Sequence, residues 1–174
     1  MMYATLYQSP IGNLELVEEN GVLIRVVYLS QEEREKECLQ SQTSKKKLLQ
    51  AASRKEIELR STPILEEAVR QLEEYFSGVR KEFQLPLDLR GTEFQKKVWQ
   101  ALLEIPYGET QSYGQIAEQI GNPKAMRAVG MANHNNPIMI IVPCHRVIGK
   151  DRSMTGYACG IDVKEALLRL ERSL

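Results

Sequence analysis

One of the three cysteines stands beside one of the two histidines, Cys144-His145, directly behind the apolar segment Pro137-Ile138-Met139-Ile140-Ile141-Val142-Pro143. A cysteine next to an imidazole is a candidate nucleophile, because the thiolate is the reactive form and histidine takes up the thiol proton. The apolar segment reads as a buried extended run that delivers the cysteine from a rigid support. Residue type alone leaves other readings open. Cysteine is among the most buried residue types and is commonly inert packing, and adjacent side chains of an extended segment point to opposite faces. Metal binding is the weaker reading, since the remaining soft ligands, Cys38, Cys159 and His134, stand at no zinc-module spacing. An odd number of widely spaced cysteines also fits no disulfide framework, so a reducing cytoplasm is the expected home.

The elements that must position this pair fall into two parts. Tyr3 to Tyr7, Asn13 to Val17 and Val22 to Leu29 read as strands separated by Ser9-Pro10-Ile11-Gly12 and Glu19-Asn20-Gly21. Asn-Gly between apolar runs is a strong hairpin signal, so an antiparallel sheet is expected to open the chain. Gln31 to Arg60 is charged and lacks aromatic residues, which reads as a solvated helix or mobile connection. Thr62-Pro63 then caps an amphipathic helix carrying Ile64, Leu65, Ala68, Val69, Leu72, Tyr75 and Phe76 and ended by Gly78, expected to pack on the sheet. Leu85 to Gly91 reads as a linker, and the division of the chain is placed there, as 1–86 and 87–174.

Beyond it the grammar changes to short capped helices. Thr92 with Gln95, Ser112 with Gln115 and Asp162 with Glu165 have the spacing of capping boxes. The first opens a helix with Phe94, Val98, Trp99, Leu102 and Leu103. The second opens a helix from Tyr113 to Ile120, ended by Gly121. Asn122-Pro123 is expected to start another over Lys124 to Ala132, and two short helices across a tight turn make a helix-turn-helix.

The chain has 174 residues with 23 basic and 23 acidic side chains, 43% hydrophobic and 26% charged. This is an ordinary globular balance, which argues against intrinsic disorder. No run approaches the roughly 18 apolar residues of a membrane span. The N-terminus lacks the basic and apolar regions of an export signal. Zero net charge argues against a nucleic-acid partner until the charges are placed. Residues 1–91 hold 13 basic and 15 acidic side chains, and the remainder 10 and 8. Between Glu118 and Asp151 there is no carboxylate, while Lys124, Arg127, Arg146 and Lys150 all lie there. An acid-free segment beginning at a helix-turn-helix suits approach to phosphates.

Pro143-Cys144-His145-Arg146-Val147, with Asn136-Pro137 before it and Thr155-Gly156-Tyr157 and Lys164 to Glu171 after it, closely resembles the O6-alkylguanine-DNA alkyltransferases. The likeness extends upstream through Phe94-Gln95, Val98-Trp99, Pro106 to Thr110, Ser112-Tyr113 and Asn122 to Gly130, and so spans residues 92 to 172 in order. The N-terminal part resembles the family only through Ser9-Pro10-Ile11-Gly12 and the strand pattern. The resemblance implies an α+β chain: an N-terminal ribonuclease-H-like α/β domain with an antiparallel sheet, and a mostly helical, winged-helix-like C-terminal domain with the helix-turn-helix.

It also implies a chemistry. Cys144 is the acceptor of an alkyl group from O6-alkylguanine in double-stranded DNA, with O4-alkylthymine left open as a second substrate. His145 is the base, acting through a water, and Glu171 orients it. Asn136 holds the active-site turn, and Tyr113 donates a proton or hydrogen bond to the departing guanine. Tyr157, Ala158, Met139 and Val147 form the substrate pocket. Arg127, on the second helix of the motif, fills the space of an extruded nucleotide in the minor groove, and Tyr113, Asn122, Lys124 and Lys150 complete the DNA contacts. A thioether product has no easy leaving chemistry, so the reaction is expected to be stoichiometric and free of cofactor. Some family members carry a structural zinc in the N-terminal part. None is expected here, since Cys38 is that region's only cysteine and it has no histidine. A monomer without membrane contact is expected. Three residues depart from the family pattern: Met139 stands where proline is common, and Arg152 and Cys159 where glycine is common. The alternative is a non-enzymatic protein that recognises alkylation damage, but such proteins lack the cysteine that stands here as Cys144.

Overall fold

In a computed structural model, residues 1–29, 57–154 and 157–172 are described. The chain divides into two compact units, Met1–Asp88 and Leu89–Leu174. Among the described residues no helix is long and apolar enough to cross a membrane.

In the first unit, strands β1 (Met2–Ser9), β2 (Gly12–Glu19) and β3 (Val22–Tyr28) form an antiparallel meander. The β2–β3 turn is built by Asn20 at φ 55° and Gly21 at φ 81°, the positive-φ pair that matches strand twist in a tight hairpin. The Glu18 carboxylate accepts from the Gly21 N–H at 2.9 Å. A fourth strand, β4 (Ile57–Leu59), pairs in parallel with β1, so the sheet order is β3-β2-β1-β4. By composition these three residues belong to the charged connection of Gln31 to Arg60. A strand of three residues has too little periodicity to announce itself, and it exists because β1 offers it a free edge. The remainder of that connection lies outside the described residues.

Helix α1 (Pro63–Phe76) starts where Thr62 caps it, with its hydroxyl accepting from the Leu65 N–H and Pro63 in the first helical turn. It buries Leu65, Ala68, Leu72 and Tyr75, and packs on β1, β2 and β3. Leu14, Leu16, Leu23 and Val26 are buried from the sheet, while Ala4, Val17 and Ile24 form a smaller cluster with Met2, Val22 and Ile57. The segment expected as a linker is partly docked. Leu23 donates its N–H to Pro86 O at 2.9 Å and accepts from Asp88 N at 3.0 Å, so residues 86–88 follow the β3 edge.

The second unit is a set of short helices. Helix α2 (Glu93–Leu103) and helix α3 (Tyr113–Gln119) begin with the expected capping boxes: Thr92 and Gln95 exchange bonds of 2.9 and 3.2 Å, and Ser112 and Gln115 bonds of 2.8 and 3.2 Å. Strand β5 (Gln111–Ser112) leads into α3 and pairs in parallel with β6 (Val147–Ile148). Helix α4 (Met126–His134) begins two residues later than expected, because Asn122 to Ala125 close a turn through Ala125 N donating to Asn122 O. Helix α5 (Ile161–Leu170) begins without the capping box expected of Asp162 and Glu165. Its N-cap is Gly160 at φ 99°, with no side-chain cap bond, so Asp162 lies inside the first turn instead of capping it.

Trp99 of α2 is buried and donates its indole N–H to Ala132 O of α4 at 2.8 Å, satisfying one of the carbonyls that a helix end leaves open. Trp99→Phe keeps the ring contact but strands that carbonyl. It should cost about 1–3 kcal/mol, read as a lowered thermal midpoint.

Candidate active site

The apolar segment before Cys144 is buried, with Ile138, Ile140 and Val142 without accessible surface. It is not the extended run expected from its composition. Val142 N donates to Ile138 O at 2.9 Å, Met139 and Val142 form an isolated bridge, and Ile140 lies at φ 71°. A β-branched residue in the left-handed region is a true outlier, and such strain of about 1–3 kcal/mol persists only where the surroundings over-determine it. Asn136 supplies that constraint. Its Nδ2 donates to Val142 O at 2.8 Å, and its Oδ1 accepts from Ile138 N at 3.0 Å. The folded-back chain then enters a 3-10 turn, Cys144–Arg146, in which all three side chains are buried.

Cys144 is 4% exposed. Asn133, at the end of α4, donates to its carbonyl at 3.2 Å. Burial pushes the thiol pKa up, against the opposing influence of hydrogen bonds from Asn136 and Tyr157 and of the Lys164 charge. The resting group is therefore the thiol. Lys164, on α5, has no accessible surface, and its ammonium donates to Val147 O. It stands 5.9 Å from the centre of the Tyr113 ring and 5.8 Å from that of Tyr157. Burial lowers its pKa to about 8, with a thiolate at Cys144 acting in the other direction.

His145 is fully buried, and its Nε2 meets Glu171 Oε1 at 2.7 Å. A carboxylate at Nε2 makes that nitrogen the donor, which leaves the Nδ1 lone pair as acceptor. Nδ1 is buried with no hydrogen-bond partner among the described residues. Burial lowers the imidazole pKa, and the Arg146 and Lys164 charges lower it further, while Glu171 opposes them. Histidine is thus neutral and able to accept a proton. The same carboxylate is held by Arg146, whose Nε and Nη2 reach it at 2.9 and 3.0 Å while Nη1 donates to Ile105 O at 2.6 Å. Gly108 N–H approaches Glu171 Oε2 at 3.4 Å. Gly108 lies at φ 80°, and a Cβ there would stand 3.2 Å from Glu171 O, so the close approach requires glycine.

The expected residues thus divide in space. Cys144, Tyr113, Tyr157 and Val147 gather around Lys164, Asn136 stands at Cys144, and His145 with Glu171 forms the adjoining pair. Met139 is buried and its sulfur lies 3.6 Å from Cys159 Sγ, whereas Ala158 is exposed. Tyr113, Arg127 and Lys150 line one cleft of about 620 Å³, together with Met126, Gly130, Met131 and His134. Asn122 and Lys124 are exposed on the α3–α4 turn, outside that lining. Arg152 lines a neighbouring cleft with Lys150. Cys38, Thr155 and Gly156 lie outside the described residues. Among the described residues no three His, Cys, Asp or Glu side chains stand where they would hold a metal ion.

Sequence reasoning gave no role to Lys164, Asn133 or the Arg146–Glu171 pair. Lys164 stands three and four residues before Leu167 and Leu168 on the buried face of α5, and Asn133 four after Val129 on that of α4. A polar residue inside an apolar stripe must be hydrogen-bonded, and that was the available signal. Arg146, which stands with Lys124, Arg127 and Lys150 among the cations expected to face phosphates, is buried and committed to Glu171 instead, a partner 25 residues away that no local spacing announces.

The family description for the 6-O-methylguanine DNA methyltransferase DNA-binding domain matches residues 93–173, and that for the ribonuclease-like domain of the same proteins matches residues 2–89. The chain is 50% identical over 172 residues to a methylated-DNA–protein-cysteine methyltransferase of Methanosarcina acetivorans, covering 99% of each chain. It is 48% identical over 173 residues to the constitutive methylated-DNA–protein-cysteine methyltransferase of Bacillus subtilis, covering 99% of this chain and 96% of that one. The crystal structure of Mycobacterium tuberculosis OGT in complex with DNA superposes with a TM-score of 0.81 at 47% identity, over 98% of this chain and 93% of that one.

Two measurements test these electrostatics. Lys164→Met replaces a buried ammonium by an apolar chain of similar length. It leaves Val147 O without its ammonium donor and should lower the thermal midpoint, while slowing alkylation of Cys144 by iodoacetamide about tenfold or more through loss of the charge that favours thiolate. His145 binds its proton less readily folded than unfolded, where its pKa is about 6.5. The stability this gives is complete above that pH and lost as pH falls below it toward the lower folded value. The thermal midpoint should therefore begin to drop near pH 6.5, and a midpoint unchanged down to pH 5 would contradict a neutral buried imidazole.

Proposed function

The chain belongs to the 6-O-methylguanine DNA methyltransferase family, and from that membership we propose that it repairs DNA by direct, irreversible and stoichiometric transfer of the alkyl group of O6-alkylguanine to Cys144. The observation that carries this reading is the buried thiol beside a neutral imidazole whose Nε2 is committed to Glu171. Such a site holds a soft nucleophile in reserve with its base ready.

The reaction is a displacement at the alkyl carbon. His145 Nδ1 accepts the thiol proton, relayed by one water because neighbouring side chains need not touch. Sulfur forms the new bond to carbon as the bond from carbon to guanine O6 breaks. Tyr113 donates to the departing base as its negative charge grows, and Lys164 favours the transient thiolate. Glu171 fixes the imidazole tautomer and balances its positive charge once the proton has moved. The product is a thioether, which ordinary protein chemistry does not reverse, and among the described residues no neighbouring nucleophile stands ready to free Cys144. No cofactor takes part.

The alkylated carbon is out of reach inside a duplex, so the nucleotide is extruded at a cost of a few kcal/mol. Helix α4 lies in the minor groove with Arg127 in the vacated stack, and Tyr113 and Lys150 share its cleft. Asn122 and Lys124 on the exposed turn meet the backbone. The start of α4 has no side-chain cap, which leaves its first N–H groups for a phosphate. Tyr157, Val147, Met139 and Ala158 surround the extruded base, and the Met139–Cys159 sulfur contact narrows that pocket against bulky adducts. The protein works as a cytoplasmic monomer, where the thiol stays reduced.

Intact mass after incubation with duplex DNA containing O6-methylguanine should rise by one methylene per protein molecule, and Cys144→Ala should show no gain. Unchanged wild-type mass with retained binding would mark a damage-recognition protein instead. Benzylated guanine should react more slowly than methylated guanine, and Met139→Pro with Cys159→Gly should close that difference. Equal initial rates would remove the role given to the two sulfurs.

A further inference from the structure

Helix α4 buries Val129, Ala132 and Asn133 and turns Met126, Arg127 and Met131 outward. Met126 is 53% and Met131 61% exposed, and both stand in the cleft that also holds Arg127 and Lys150 and has no carboxylate in its lining. The two methionines differ in what they touch. Met126 Sδ lies 3.4 Å from where a Cβ of Gly114 would stand, so it is seated on the first turn of α3. Met131 stands one helical turn beyond Arg127 on the same face, next to Gly130, whose own Cβ position lies 3.9 Å from the Tyr113 ring.

Resting on the DNA-repair reading above, we infer that Met131 is a second insertion residue: its thioether enters the minor groove beside Arg127 and props open the base step from which the nucleotide leaves. The chemistry of the surface selects this occupant. Two cations and two exposed methionines share one cleft, and a minor groove offers phosphates at its rims and apolar sugar walls between them. Minor-groove proteins that kink DNA use such apolar wedges between base steps. An unbranched thioether adapts to a step of any sequence, as an enzyme that must act wherever damage occurs requires. Arg127 and Met131 divide the work: the guanidinium supplies hydrogen bonds in the vacated stack, and the methionine supplies volume against the neighbouring pair.

The test compares alkyl transfer from O6-methylguanine in a duplex with transfer from the free base O6-methylguanine, which needs no extrusion. For Met131→Ala and Met131→Gln the ratio of duplex rate to free-base rate should fall about tenfold, the effect of losing an apolar contact of about 1.4 kcal/mol. Met131→Leu, which keeps apolar volume, should restore most of it. A ratio equal to that of the wild type in both Ala and Gln variants overturns the inference, as does a parallel loss on both substrates, which would place Met131 in the protein's own packing. A wild-type protein that transfers from neither substrate overturns the transfer reading itself, and this inference with it, and is told apart by needing no variant.

Discussion

A single buried carboxylate, Glu171, organises the chemistry of the second unit. It takes the Nε2–H of His145 and two bonds from Arg146, with Gly108 N–H close by. An isolated buried charge costs several kcal/mol, and the attraction of a partner offsets this only when the remaining lone pairs are also bonded. Here the guanidinium, which never loses its proton, balances the carboxylate. The imidazole is thereby left neutral although it touches an anion. The positions of the α5 C-terminus, the Pro106–Gly108 loop and the 3-10 turn all follow from bringing these groups together.

That balance sets the resting state around Cys144. Burial raises the thiol, lowers His145 and brings Lys164 down to about 8, so before a substrate arrives the thiol and the imidazole are neutral and Lys164 carries the charge that faces Cys144. A protein that spends its only acceptor in one reaction gains from this. Low-pKa, exposed thiols are the ones that oxidise, and Cys144 is neither. Activation is deferred until a proton can leave through His145 and a leaving group can receive one.

The two ends of α4 connect surface and chemistry. Its outward face presents Arg127 and Met131, while its last turn is fixed from within by Trp99 at Ala132 O and reaches Cys144 O through Asn133. Ile140, strained at φ 71°, sits in the turn that Asn136 closes just before the cysteine. The backbone on either side of the acceptor is therefore held by amide side chains, which orient without adding charge.

Local signals carried much of the fold. Asn20-Gly21, the Thr62-Pro63 start and the boxes at Thr92 and Ser112 act over three or four residues, so they were legible in the chain and stand in the structure. The order of motifs around Cys144-His145 pointed to the site. Where a local pattern competed with a longer-range demand, the pattern lost. Asp162 and Glu165 have the spacing of a cap, but Gly160 begins the helix first. Ile138 to Val142 has the composition of a strand, and periodicity cannot tell an apolar strand from an apolar turn. β4 exists only because β1 lies beside it, and Arg146 is buried only because Glu171 arrives from 25 residues away. Residue types and short spacings settle which elements form and which atoms are reactive. Which charges neutralise one another, and hence whether the thiol and the imidazole are charged or neutral, depends on burial and on partners distant in the chain, and these come into being only when the helices pack.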